Sequence, residues 1–63
     1  MSLQLESRHF FRARDVVQHR DGRFGTVLEE RALFAVIDWD DGLREEVDQF
    51  DPRVLVVERA EPR

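Results

Sequence analysis

The chain contains no cysteine, no lysine and no tyrosine, and it has a single tryptophan among its 63 residues. Without cysteine, neither a disulfide framework nor a thiolate metal site can form, and no cysteine nucleophile is available. The two histidines and two serines do not supply the ligands of a zinc site or a serine–histidine–aspartate triad. The sequence therefore predicts a protein that is not an enzyme and that needs no metal and no cofactor.

Long apolar runs are also missing from the sequence. No apolar stretch approaches the roughly 20 residues of a membrane helix, and Glu6, Arg8 and Arg12 lie where a signal peptide would be apolar. We therefore expect a cytoplasmic, bacterial protein that does not associate with a membrane. A chain of 7.5 kDa forms one small domain with a thin stability margin, so a closed sheet, oligomerisation or both are expected to stabilise it.

Charge is negative overall and unevenly spread. The formal net charge is −4, yet residues 1–25 hold five arginines against three acids, whereas residues 26–63 hold five arginines against eleven acids. A negative total disfavours a nucleic-acid binder that gains its affinity by neutralising phosphates. The contrast between the halves favours pairing of basic and acidic surfaces, within one chain or between subunits.

Five short apolar or alternating runs indicate β-strands, and no segment has helical periodicity. The runs cover residues 15–19, 25–29, 33–39, 43–47 and 54–58. Turn signals separate them at Asp21-Gly22, at Asp41-Gly42 and at residues 49–52, where Pro52 ends strand pairing. This pattern predicts an all-β, five-stranded barrel, because closing the sheet removes exposed edges.

The division of the chain follows from these runs. We predict an N-terminal arm at residues 1–12, a barrel at residues 13–59 and a C-terminal tail at residues 60–63. Leu3, Leu5, Phe10 and Phe11 make the arm too apolar for a solvated tail, so it is expected to pack on its own barrel or on a neighbour's. The predicted core is Val17, Val27, Ile37, Trp39, Val47 and Leu55.

The order of these motifs resembles the SH3-like small barrels of the Tudor and KOW type. The matching pieces are Asp15-Val16-Val17, Gly22, Gly25-Thr26-Val27, the IDWDDG string at residues 37–42, Val47 and Val54-Leu55. In those families a similar string runs through five strands, with a short 3₁₀ turn before the last strand, and residues 49–52 match that turn. The resemblance covers residues 14–58, and it implies a binding module for peptides, methylated side chains, RNA or other subunits.

This chain differs in one feature from each of the two families that it resembles. A Tudor cage for a methylated cation needs several converging aromatic rings, whereas Trp39 here falls on the core side of its strand. A weaker resemblance, to the type II dihydrofolate reductases, rests on the short chain and its arm. Where that family has a Val-Gln-Ile-Tyr pore segment, residues 43–47 here read LREEV, and acidic residues repel anionic ligands.

Arginines and phenylalanines supply the candidate binding residues, which are Arg12, Arg14, Arg20, Arg23, Phe24, Phe34 and Phe50. Arginine beside exposed aromatic rings docks on acidic or aromatic protein surfaces, or grips phosphates and stacks on bases. The net charge favours a protein partner or self-association. The alternatives are a weak RNA- or DNA-binding module that uses residues 20–23 and the arm, and an oligomeric pore enzyme. The clustered carboxylates around the turn at Gly42 are interpreted as a solvated acidic hairpin rather than a cation site.

Overall fold

The computed structural model describes residues 11–60, which form five β-strands and no helix. The strands are β1 (Val16–His19), β2 (Phe24–Glu30), β3 (Phe34–Trp39), β4 (Arg44–Asp48) and β5 (Val54–Glu58). Each boundary lies within one residue of the position that the sequence pattern indicated. The prediction of an all-β, five-stranded domain is confirmed. Over these residues no helix is long and apolar enough to cross a membrane.

The strands form one antiparallel sheet in the order β4-β3-β2-β1-β5. β4 and β5 are therefore the outer strands, and within residues 11–60 no ladder joins them. The sheet is open at this point. Closure into a barrel stays a prediction.

Aspartates organise the turns between the strands. In each of four turns an aspartate Oδ1 accepts the backbone N–H of the residue two positions later. The pairs are Asp21 with Arg23, Asp41 with Leu43, Asp48 with Phe50, and Asp51 with Arg53. Gly22 and Gly42 follow two of these aspartates. Their φ values of 103° and 92° are ones that residues other than glycine rarely adopt. Residues 49–52, expected as a 3₁₀ turn, form part of two consecutive hydrogen-bonded turns.

The core lies on one face of the sheet. Its members are Phe11, Val17, Val27, Ala35, Ile37, Trp39, Val47 and Val54. Five of the six predicted core residues are among them. The sixth prediction is wrong, because Leu55 is 64% exposed and Val54 is buried in its place. β5 pairs with β1 so that Val54 and Val56 face the same side as Val17, which turns Leu55 outward.

Phe11 is the one apolar residue of the predicted arm that the structure describes, and it packs in the core. Its backbone is held by the buried side chain of Gln49, which follows β4. The Phe11 N–H donates to Gln49 Oε1 at 2.5 Å, and Gln49 Nε2 donates to the Phe11 carbonyl at 3.2 Å and to the Arg31 carbonyl at 3.0 Å. Leu3, Leu5, Phe10 and the tail residues 61–63 lie outside the described residues.

A second buried polar residue, Asp15, joins the chain segment before β1 to the segment after β5. Its side chain is fully buried. It accepts the N–H of Arg12 at 2.9 Å, the Arg59 guanidinium at 2.7 Å and the N–H of Ala60 at 2.8 Å. Between Arg12 and Asp15 the chain turns through Arg14, which has a φ of 76° and donates its N–H to the Val27 carbonyl at 2.7 Å. Buried polar atoms are thereby satisfied, as a stable core requires.

Candidate interaction surface

The solvent-facing side of β5, β1 and β2 carries exposed apolar residues in one cross-strand row. Gln18 of β1 lies opposite Leu55 of β5 and opposite Phe24 of β2. Residues directly opposite in a ladder share a face of the sheet. Leu55 is 64% exposed and Phe24 is 46% exposed. Two large apolar side chains thus flank Gln18 in the solvent.

Two arginines lie in the next row of the same face. Arg20 and Arg53 are two residues beyond Gln18 and two before Leu55, respectively, and the Arg20 N–H donates to the Arg53 carbonyl at 2.7 Å. A shallow groove between them is lined by Pro52 and Leu55. We call the surface formed by Gln18, Arg20, Phe24, Arg53, Leu55 and Val57 the outer patch.

The charge of Arg53 is held in place by the turn that precedes β5. Its Nε donates to Asp51 Oδ1 at 3.0 Å and its Nη2 donates to Asp51 Oδ2 at 2.8 Å. The hydrogen bond from Arg53 lowers the pKa of the Asp51 carboxyl, and the same bond raises the pKa of Arg53. Arg20, by contrast, forms no ion pair with another side chain of residues 11–60.

Arg23, which the sequence grouped with Arg20, lies against the core instead. Its Nε donates to both oxygens of Asp21, at 3.1 and 3.0 Å, and its Nη1 lies 3.4 Å from Asp41. The guanidinium carbon is 4.8 Å from the centre of the Trp39 ring system, within the range of a cation–π contact. The hydrogen bond from Arg23 lowers the pKa of Asp21. Arg23 thus joins the β1–β2 turn to the β3–β4 turn.

Trp39 is part of the core and not an open aromatic cage. It is 2% exposed, and its Nε1 donates to Glu45 Oε1 at 2.9 Å. The His19 ring meets it edge to face, with ring centres 5.6 Å apart. On the facing strand the backbone of Gly25 approaches so closely that a Cβ there would lie 2.7 Å from Trp39 Cε3.

The other predicted binding residues are spread over the domain. Arg12 lines a separate groove with Glu30 and Arg31, and Arg14 is exposed at the turn before β1. Phe34 is half-buried opposite Asp48 of β4. Phe50 is exposed and borders a third groove, which adjoins the outer patch at Leu55. The structure therefore brings Arg20 and Phe24 onto one face and leaves the rest elsewhere.

The acidic residues serve the turns and strand ends. Asp41 bonds the N–H of Leu43, and Asp40 Oδ2 accepts the N–H of Phe24 at 3.2 Å. Over residues 11–60 no group of three or more histidine, cysteine, aspartate or glutamate side chains is arranged to hold a metal ion. The interpretation of this hairpin as a solvated acidic turn thus has a structural basis in its backbone bonds.

Sequence reasoning missed Arg53, Leu55 and Val57 as surface residues. Leu55 was placed in the core, and Arg53 was given no role. Only the pairing of β5 with β1 shows that these residues share a face with Arg20.

No family model, curated protein or solved structure matches this chain.

Proposed function

We propose that this protein is a non-enzymatic interaction module that uses the outer patch to bind a protein partner or a second copy of itself. The observation that carries the proposal is the row of Leu55, Gln18 and Phe24, which holds two exposed apolar side chains beside Arg20 and Arg53. Val57, two residues after Leu55, is also exposed, and a cluster of exposed apolar side chains marks an interaction site in a soluble protein. Arginine and aromatic residues are enriched at protein interfaces.

We further propose that the sheet belongs to an SH3-like barrel of the Tudor or KOW type. In support, β1 pairs with both β2 and β5, and β2, β3 and β4 form a meander. The tight turn at Gly42 and the short connection before β5 lie where the resemblance expects them. Barrels of this type carry many unrelated binding functions, so the partner must be argued from the patch itself.

The patch fits a partner that offers apolar side chains bordered by a carboxylate. Arg20 and Arg53 supply two guanidinium groups at one end of the patch, and Asp51 already pairs with Arg53. Arg20 is therefore the group expected to meet an acidic residue of the partner, while Phe24 and Leu55 are expected to bury apolar area.

The test compares two patch variants with one control in the full chain. Arg20→Glu and Phe24→Ser should each weaken self-association, or binding of a purified partner, by about tenfold or more. Leu43→Ser removes an apolar residue at the β3–β4 turn that is even more exposed than Phe24, and it should leave binding within about twofold. Sedimentation equilibrium measures self-association, and calorimetric titration measures partner binding. Equal affinities for all three variants, or a parent chain that binds neither itself nor another protein, would contradict the proposal.

A further inference from the structure

The face that carries the outer patch continues onto β3, where two carboxylates border it. Asp40 lies beside Phe24, because the Asp40 N–H donates to the Phe24 carbonyl at 2.8 Å and the Phe24 N–H donates to Asp40 Oδ2 at 3.2 Å. In the next row of the sheet, Val16 of β1 lies opposite Thr26 of β2, and Thr26 lies opposite Asp38 of β3. These five residues line one shallow groove. The apolar patch therefore has an acidic border as well as a basic one.

The charges on this face are weakly engaged within the chain. Asp38 Oδ1 lies 3.9 Å from Arg44 Nε, and with side chains 44% and 66% exposed such a pair contributes little to stability. Among residues 11–60, neither Asp40 nor Arg20 forms an ion pair. The face therefore offers Arg20 and two carboxylates to a partner.

Arg20 and Asp38 lie on opposite sides of Phe24 in the sheet. Arg20 follows β1, one strand from β2, and it lies one row from Phe24 in the direction of the β1–β2 turn. Asp38 lies on β3, one strand from β2 on the other side, and one row from Phe24 in the opposite direction. By strand and by row, Phe24 is thus midway between a positive and a negative side chain. Exchanging the two charged positions about Phe24 gives the same arrangement with the signs reversed, so the face is complementary to a copy of itself.

Charge favours a second copy over other partners on this face. An acidic surface that meets Arg20 is repelled by Asp38 and Asp40, and a basic surface that meets these carboxylates is repelled by Arg20. A surface that carries both signs in matching positions avoids both penalties, and the chain itself has such a surface. A domain of 63 residues also buries little area on its own and gains stability by association.

We propose that the outer patch binds a second copy of this chain about a two-fold axis near Phe24. This inference rests on the proposed function of the patch and names its partner. Every contact in a two-fold interface occurs twice, so Arg20 of each copy pairs with Asp38 of the other, beside Asp40. The two Phe24 rings meet at the centre, where they bury apolar area and exclude water from the charge pairs.

Charge reversal in the full chain tests the pairing. Arg20→Glu and Asp38→Arg should each weaken the dimer of the parent chain by about tenfold or more, because each places like charges together at two points. An equimolar mixture of the two variants should recover affinity to within about threefold of the parent, since a mixed dimer has one native and one reversed pair, both of opposite sign. Sedimentation equilibrium should give the parent and the mixture a limiting mass of twice 7.5 kDa.

The matched control reverses a carboxylate outside the proposed pairs. Glu46 lies on β4 opposite Val36 and is exposed. The double variant Arg20→Glu with Asp38→Arg, in one chain, should dimerise like the parent, whereas Arg20→Glu with Glu46→Arg, which has the same net charge, should remain weakened. Recovery by both double variants would overturn the pairing, because net charge alone would then explain it. Circular dichroism checks that these surface variants keep the fold.

The remaining outcomes separate this inference from the proposed function. A mixture that stays as weak as its components, or a parent that forms species larger than a dimer, would overturn the two-fold pairing. A parent that is monomeric throughout, but whose binding to a purified partner is weakened by Arg20→Glu and Phe24→Ser, would overturn the second copy and leave the proposed function standing. Equal affinities for the parent, Phe24→Ser and Leu43→Ser would contradict the patch itself, and this inference with it.

Discussion

At the scale of single residues, Trp39 is the side chain on which most of the core depends. Its indole N–H donates to Glu45, its ring and the His19 ring pack edge to face, and the Arg23 guanidinium lies over its ring. Gly25 on the neighbouring strand leaves room for the ring. These contacts link β1, β2, β3 and β4 through one side chain.

Replacing Trp39 by alanine should destabilise the domain by about 3–5 kcal/mol, because apolar contacts are lost and neighbouring side chains fill such a cavity only in part. Such a loss is comparable with the whole stability of a domain of this size, so the variant is expected to be largely unfolded at 25 °C. Trp39→Phe keeps much of the packing and loses the bond to Glu45, and it should have an intermediate stability. Urea unfolding followed by far-UV circular dichroism measures all three proteins. An alanine variant that unfolds at the same urea concentration as the parent would show that the ring is not part of the core.

At the scale of elements, the turn before β5 joins a charge pair to a backbone turn. Asp51 accepts the N–H of Arg53 and also pairs with its guanidinium. The turn and the ion pair therefore depend on the same carboxylate, and they place Arg53 at the edge of the outer patch.

The stability supplied by Asp51 should depend on pH. The hydrogen bond from Arg53 lowers the pKa of this carboxyl below its usual value of 3.8. A depressed pKa in the folded state means that the contribution is complete above the unfolded value and is lost as the pH falls through the folded value. Asp51→Asn should therefore lower the urea midpoint at pH 6 and reduce its further decline between about pH 4 and about pH 2.

The control for this prediction is Asp48→Asn. Asp48 accepts the N–H of Phe50 in the same kind of turn and, within residues 11–60, has no arginine partner. Asp48→Asn should leave the decline of the urea midpoint with falling pH closer to that of the parent chain. If Asp51→Asn and Asp48→Asn change this decline equally, the ion pair with Arg53 is not its cause.

The strands were predictable from sequence, because alternation and aspartate–glycine turns are local signals. Which residues of β5 face the core was not predictable. Val54 to Val57 are four apolar residues in succession, and such a run carries no alternation to show which residues face the core. Register against β1 decides it, and register is a long-range property.

Phe11 is expected from the sequence to pack on a barrel with the rest of the arm, but its place in the core and the contacts of Gln49 were not predictable, for a related reason. Four residues, three of them charged, separate Phe11 from β1, and the chain returns to the sheet through Arg14 in a left-handed conformation. Glycine and asparagine usually signal that conformation, whereas arginine does not. Gln49 was assigned to a turn, since nothing in the sequence shows that its amide meets the backbone of Phe11, 38 residues earlier.

At the scale of the whole molecule, the basic residues are less available than their number indicates. Arg23, Arg31, Arg53 and Arg59 are each paired with a carboxylate. The net charge remains −4. Paired arginines among residues 11–60 and a negative net charge both disfavour the broad positive field that attracts nucleic acid.

We accordingly expect no saturable binding to duplex DNA or single-stranded RNA at about 150 mM salt, a condition that screens weak surface charge. Fluorescence anisotropy with a labelled duplex and a labelled RNA of mixed sequence measures this, and Arg20→Ala should not change the result. Tight binding that weakens by about 0.9 log units per log of salt for each phosphate contacted would favour the nucleic-acid function instead.

The carboxylate of Asp15 has a consequence for how this domain can be joined to others. Because Arg12, Arg59 and Ala60 all bond to it, the chain segment before β1 and the segment after β5 lie side by side. Adjacent ends favour insertion into a surface loop of a host protein and circular permutation, since neither stretches the chain. In a tandem array of such units, the connections between units would therefore all lie near the buried carboxylate of Asp15.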